Sequence, residues 1–164
     1  LTLANETDEA FLKLVEYFAQ QEEPTIILMF GDHQPSVEQE FLDLAYGVSQ
    51  ADMTMEQYMG KYRVPYVLWA NNPVEFDAPE STSLNFLGQY LLRYAGIESD
   101  PYGAFLWDLQ TVIPALTFVG YTDAQGNAYS HLETNEYTQL IEDYQCLQYM
   151  RLFGDRPEET TWAG

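Results

Sequence analysis

The chain has 164 residues, enough for one domain with a sizeable buried core. Its 26 acidic residues against 6 lysines and arginines give a net charge of −20. That excludes nucleic acid as a partner, because no basic stripe exists to neutralise phosphates. A hydrophobic content of 46% argues against disorder, and a single cysteine rules out an intrachain disulfide or a cysteine-based zinc cluster.

In chain order, residues 7–20 predict a helix, with Phe11, Leu14, Val15 and Phe18 on one face. Glu22-Glu23-Pro24 breaks it. Thr25 to Phe30 is an uncharged run that reads as a strand buried on both faces, as inside a parallel sheet. It ends in Gly31-Asp32-His33-Gln34-Pro35. A second helix is expected at about 37–46, capped by Ser36 and ended by Gly47. Residues 48–62 read as irregular to helical, with Met53, Met55 and Met59 filling gaps in the packing.

Val64 to Ala70 predicts the next strand, with Pro65 at its start or on an edge. Residues 82–95 predict a helix with Leu84, Leu87, Leu91 and Tyr94 on one face and Gly96 closing it in the left-handed region. Another helix is expected at about 101–112, with Pro101 in its first turn. Thr117 to Tyr121 and Ala128 to His131 predict a small antiparallel hairpin around the turn 123–127. The last helix is expected at about 134–152, where Cys146 should be buried and inert. Residues 155–164 read as a polar tail. No apolar run approaches the roughly 20 residues of a membrane helix, so the chain itself is expected to be soluble and free of membrane contact. It opens without methionine and is expected to be a piece of a longer protein.

Strand ends of parallel α/β sheets carry chemistry, which draws attention to Asp32 and His33. A carboxylate and a neutral imidazole are suitable donors for a divalent cation, yet four donors are usual. From the residues alone two readings stay open: half of a metal site, or a loop in which Asp32 accepts amide bonds and His33 is partly exposed. Glu38, Glu40 and Asp43 are near in sequence, either as partners of His33 or as a solvated helix face. His131 reads as a surface or hairpin side chain. No phosphate-binding glycine loop and no Gly-x-Ser-x-Gly elbow occurs.

The run Ile26 to Pro35, with Gly31-Asp32-His33 followed by x-Pro, resembles the late metal-binding motif of the sulfatase and alkaline-phosphatase superfamily. It looks most like the lipoteichoic acid synthase branch, the phosphoglycerol transferases. Arg63 to Asn71, Ser83 to Ile97 and Asp143 to Asp155 resemble later stretches of that branch, in matching order. The helix departs from the usual pattern by having Gly88-Gln89 where Pro-Thr is common.

The resemblance implies an α/β fold: the C-terminal part of an alkaline-phosphatase-like sandwich, with mostly parallel strands, flanking helices and a small antiparallel hairpin. Residues 1–154 would be that portion of the catalytic domain. Asp32 and His33 would be metal ligands for one divalent cation, Mn²⁺ first, with Zn²⁺, Mg²⁺ or Ca²⁺ as alternatives, held weakly or not at all by this chain alone. The nucleophile is expected upstream of Leu1, so no catalytic residue is assigned here and the chain alone should be inactive. The expected partner is the N-terminal remainder of that domain. The expected activity is phosphoglycerol transfer in the synthesis of a glycerophosphate polymer, on the extracellular face of a bacterial cytoplasmic membrane. Sulfate ester hydrolysis and a non-catalytic α/β interaction module are the alternatives. The substrate of either enzyme would be an anionic phosphoglycerol or sulfate ester.

Overall fold

A computed structural model describes residues 2–154, and the expected tail 155–164 lies outside them. Helices and short strands are interspersed along the chain, so the class is mixed α/β as expected. In order they are α1 (Thr2–Phe18), β1 (Ile26–Phe30), α2 (Gln39–Tyr46), a 3₁₀ turn (Gln50–Asp52), α3 (Met55–Gly60), β2 (Tyr66–Ala70), α4 (Leu84–Tyr94), α5 (Pro101–Val112), β3 (Ala115–Leu116), β4 (Gly120–Thr122), β5 (Ala128–Ser130) and α6 (Thr138–Phe153).

The first strand pair departs from expectation. β1 and β2 run antiparallel, from Ile26 opposite Ala70 to Phe30 opposite Tyr66. Parallel pairing needs a crossover that returns the chain to the end where it started. Here the chain leaves β1 at Gly31, and β2 begins beside that same end, with the Gly31 amide donating to the Pro65 carbonyl at 3.0 Å. Nor is β1 buried on both faces: its residues are half-buried and Phe30 is 48% exposed. A two-stranded ribbon gives each strand one neighbour and leaves its faces part-covered. Asn71, just past β2, locks the other end. Its side chain accepts from the Thr25 amide at 2.8 Å and donates to the carbonyls of Phe18, Gln21 and Glu23.

The buried cluster sits elsewhere, on α4, α5, the β3–β4–β5 meander and α6. Its centre is Phe86, Leu109, Ile113 and Tyr121, each no more than 2% exposed. Helix α4 buries Phe86, Leu87 and Tyr90, so its inward face is rotated from the expected leucine stripe, and Leu84 is largely exposed. The aromatics decide this: Tyr90 meets Trp107 of α5 edge-on, with ring centroids 4.8 Å apart. The two helices approach closely at Gly103, where a Cβ would collide with the Gln89 side chain. Asp100 caps α5 by accepting from the Gly103 amide at 2.8 Å, with Pro101 in the first turn as expected. Arg151 of α6 pairs with the same Asp100 at 2.6 Å. Ser83 precedes α4 but does not cap it. Its hydroxyl reaches across to the backbone of Leu116, tying α4 to β3.

Several boundaries shift for identifiable reasons. Ser36 does not cap α2, whose N-cap is Glu38. Thr54 and Gln57 form a reciprocal capping box that starts α3. Of the expected strand 117–121, Gly120 and Tyr121 lie in β4, whereas residues 117–119 form the turn between β3 and β4. The Thr117 hydroxyl accepts from the amides of Val119 and Gly120 and donates to the Gly120 carbonyl, which folds the chain back on itself. The hairpin is therefore a three-stranded meander. Helix α6 starts at Thr138, because Asn135 is engaged with the Tyr121 hydroxyl and the Tyr137 amide. Cys146 is exposed rather than buried, since α6 buries only Ile141 and Tyr144. Gly47 and Gly96 end their helices at φ 70° and 71°, as expected.

The β4–β5 turn is organised by Asp123, which is 2% exposed. Its carboxylate accepts from the amides of Gln125 and Asn127, the Asn127 side chain and the Tyr129 hydroxyl, at 2.8–3.1 Å. Burial pushes its pKa up, but these hydrogen bonds, led by those from Asn127, outweigh it and hold the group below its ordinary value of 3.8. A depressed folded-state pKa gives stability that is present above the unfolded-state pKa and lost as pH falls through the folded one. Asp123→Ala is therefore expected to lower the melting temperature at pH 7 by roughly 5–10 °C. Thermal unfolding as a function of pH should show that gap shrinking below about pH 4. A gap of constant size would assign the loss to packing alone.

Candidate metal centre

Gly31 ends β1 where the chain meets the start of β2. A Cβ on it would lie 3.0 Å from Val64 Cβ and 3.4 Å from Val64 Cγ1, so close approach of the two segments favours glycine here. Gln34 continues the attachment by donating its side-chain amide to the Arg63 carbonyl. The Asp32-His33 loop is thus fastened on both sides to the residues that lead into β2.

Asp32 and His33 are both well exposed, with His33 Nε2 3.6 Å from Asp32 Oδ2. His33 Nδ1 lies 2.9 Å from the Gln34 carbonyl. A carbonyl only accepts, so Nδ1 carries a proton, and in the neutral ring the lone pair is then on Nε2. Two donors that share a cation at bond lengths of about 2.0–2.1 Å stand roughly 3.4 Å apart in tetrahedral geometry. The pair therefore fits a shared cation in spacing, donor chemistry and tautomer. The Nδ1 contact is the orienting bond that ligating histidines usually make.

The pair supplies two donors. Among the described residues no group of three or more His, Cys, Asp and Glu side chains could hold a metal. Glu38 and Glu40 are exposed and Asp43 is half-buried, and none hydrogen-bonds to His33; Asp43 instead accepts from Gln39 at 2.6 Å. His131 lies in the meander, half-buried, with Nε2 2.7 Å from the Thr117 carbonyl.

Asp32 and His33 open onto a cleft of about 800 Å³ that also takes in Arg63, Tyr62, Glu80 and Phe118. Sequence reasoning did not place these residues, which lie 29 to 85 positions beyond His33, at the site. Arg63 was noted only as the first residue of the stretch 63–71 that resembles the phosphoglycerol transferases. Among the described residues it has no carboxylate partner, whereas Arg93 pairs with Asp77 and Arg151 with Asp100. Burial, and then neighbouring Tyr58, push the Tyr62 phenol up. Burial does the same for Tyr66, whose hydroxyl donates to the Pro79 carbonyl. Both phenols are neutral at physiological pH. The cleft therefore combines two donors spaced for a shared cation, one guanidinium, several neutral hydrogen-bonding groups and the carboxylates of Glu56 and Glu80. That set suits the handling of an anionic ester.

A family model described as Sulfatase matches residues 1–97, which include β1, the Asp32-His33 loop, β2 and α4. The chain is 24% identical over 155 residues to "Putative cyclic beta-1,2-glucan modification protein" of Rhizobium meliloti (strain 1021). That alignment takes in 92% of this chain and 24% of the relative, so the chain spans about a quarter of that protein's length. No solved structure matches the chain. No described helix is long and apolar enough to cross a membrane.

Proposed function

Since the chain belongs to the sulfatase family, we propose that it forms the late part of a metal-dependent phosphoglycerol transferase and contributes Asp32 and His33 as two of the cation's ligands. The observation that carries this reading is the oriented pair itself: Nε2 is free, 3.6 Å from a carboxylate oxygen, on a loop pinned to the start of β2. The bound cation, Mn²⁺ in this proposal, would supply Lewis-acid polarisation of a phosphoryl oxygen. Arg63 would offset the charge of the substrate in an otherwise strongly acidic protein. The remaining ligands and the nucleophile would come from residues preceding Leu1 in a longer catalytic domain, which is the partner proposed for this chain. Attack by that nucleophile on the phosphorus of the phosphoglycerol donor would release the rest of the donor as an alcohol and leave a glycerophosphoryl-enzyme; an acceptor hydroxyl, losing its proton, would then bond to that phosphorus and free the nucleophile. The relative's name points to a glucan hydroxyl as that acceptor. An extracellular, envelope-facing location of the parent belongs to the same proposal.

Hydrolysis of a sulfate ester is the second reading, favoured by the description of the matching family model. One assay separates the two. The longer protein is incubated with Mn²⁺, a phosphoglycerol donor and a β-1,2-glucan, and in parallel with an aryl sulfate. Transfer of glycerophosphate to the glucan is the expected result. Sulfate release without phosphoglycerol transfer would assign the protein to sulfate esters. Turnover of either substrate by residues 1–164 alone would overturn the division of the site between two segments.

A further inference from the structure

We infer that Phe118, backed by Tyr62, is a stacking platform for a neutral sugar ring, so that the cleft beside Asp32 and His33 takes a carbohydrate. This deepens the proposed function and rests on it only in assigning the carbohydrate the role of acceptor.

Phe118 is 77% exposed, an unusual position for a phenylalanine, yet it is held firmly. It sits at the tip of the β3–β4 turn, which the Thr117 hydroxyl closes with three hydrogen bonds. His131 braces the same turn from behind through the Thr117 carbonyl. At Gly120 the backbone passes so close to the Tyr129 carbonyl and the Met55 side chain that no Cβ fits. The turn therefore presents an apolar ring to the cleft from a fixed support. Tyr62 stands edge-on to that ring, with centroids 4.5 Å apart, and Tyr58 meets Tyr62 in the same way at 6.0 Å. The aromatic series leads back from the cleft wall towards α3.

The polar lining selects the ligand. Glu56 and Glu80 line the same cleft, and neither has a cationic partner among the described residues. Ionised carboxylates only accept hydrogen bonds, so a ligand that satisfies them must donate. A pyranose does so with the hydroxyls at its rim while offering a face of C–H groups to the electron-rich face of an aromatic ring. An anionic polymer would instead meet both carboxylates and the field of a chain at −20. Arg63 offsets one of the cleft's carboxylates; with no cation at the Asp32-His33 pair, the remaining negative charge favours a neutral, hydroxyl-rich occupant.

The test is a titration of the longer protein with a β-1,2-linked gluco-oligosaccharide, followed by NMR shifts of aromatic side chains. Saturable shifts at Phe118 and Tyr62 are expected. Phe118→Ala should weaken binding at least tenfold without altering the fold, because the side chain is mostly in solvent, and Phe118→Trp should retain it. Leu44→Ala, on an exposed side chain outside the cleft, should leave sugar affinity within twofold. Absence of saturable binding, or equal affinity in Phe118→Ala, would overturn the platform. So would concentration-dependent self-association that Phe118→Ala abolishes, which would make a second copy the occupant. Mn²⁺ affinity of the longer protein is measured separately: its loss on mutating Asp32 and His33 upholds the metal reading even if the sugar fails to bind.

Discussion

Replacing Asp32 and His33 together by alanine is expected to weaken Mn²⁺ binding by the longer catalytic domain roughly a hundredfold or more. Loss of an orienting outer contact alone typically lowers metal affinity 10–100-fold, so the removal of two direct donors should lie at or beyond that range. Each single variant should sit between the wild type and the double variant, because the remaining donor still holds the cation. Gln34 gives a finer test. The contact that sets the His33 tautomer is to the Gln34 backbone carbonyl, which Gln34→Ala keeps, while its side chain fastens the loop to Arg63. Gln34→Ala should therefore have a smaller effect than His33→Ala. Calorimetric titration with Mn²⁺ reads the wild type and all four variants. Unchanged affinity in the double variant would remove the metal assignment and leave Asp32-His33 as a solvated strand-end loop.

The largest effect on stability is expected at Phe86. This ring is 1% exposed and belongs to the cluster shared by α4, α5, the meander and α6. Truncating a fully buried phenylalanine to alanine removes its transfer free energy and leaves a cavity, together about 3–5 kcal/mol. For a chain of this size that corresponds to a fall in melting temperature of roughly 10 °C or more. Leu44→Ala is the matched control, since Leu44 is 81% exposed and its truncation should change stability little. Thermal or urea unfolding of the two variants makes the comparison. Similar losses in both would place the core on the helix α2 side instead.

Much of this was legible before the coordinates. The helices at 84–94 and 101–112 were readable because their turn chemistry is local: Asp100-Pro101 starts one and Gly96 ends the other. The Gly31-Asp32-His33 strand end was readable because an uncharged β-branched run stops abruptly in residues of a different kind. What failed depended on contacts that composition and periodicity do not encode, some of them far along the chain. The direction of β2 relative to β1 is set by how the segment 31–65 returns, and no local pattern encodes that. Phe118 was assigned to a strand because it is apolar and lies beside Val119, although the Thr117 hydroxyl turns the chain there. Asp123 was taken for an ordinary turn residue. Its burial comes from Tyr129, and that packing exists only in three dimensions. The Cys146 expectation failed for a related reason: an apolar neighbourhood in sequence is not a neighbourhood in space.

The β1–β2 ribbon also bears on what a cation has to do for this protein. Asp32 and His33 are adjacent in sequence, so they meet without closing any loop. The loop that must be closed lies between Phe30 and Tyr66, and for a segment of that length the entropy amounts to about 3 kcal/mol beyond a constant term. Five paired positions and the Asn71 clamp offset it. The buried cluster, for its part, contains no residue before Phe86. Folding therefore draws on contacts remote from the donors, unlike a zinc finger, in which metal affinity is folding free energy. For a cation at this pair, the binding energy is left for chemistry, and a chelator would disarm the site without dismantling the chain around it.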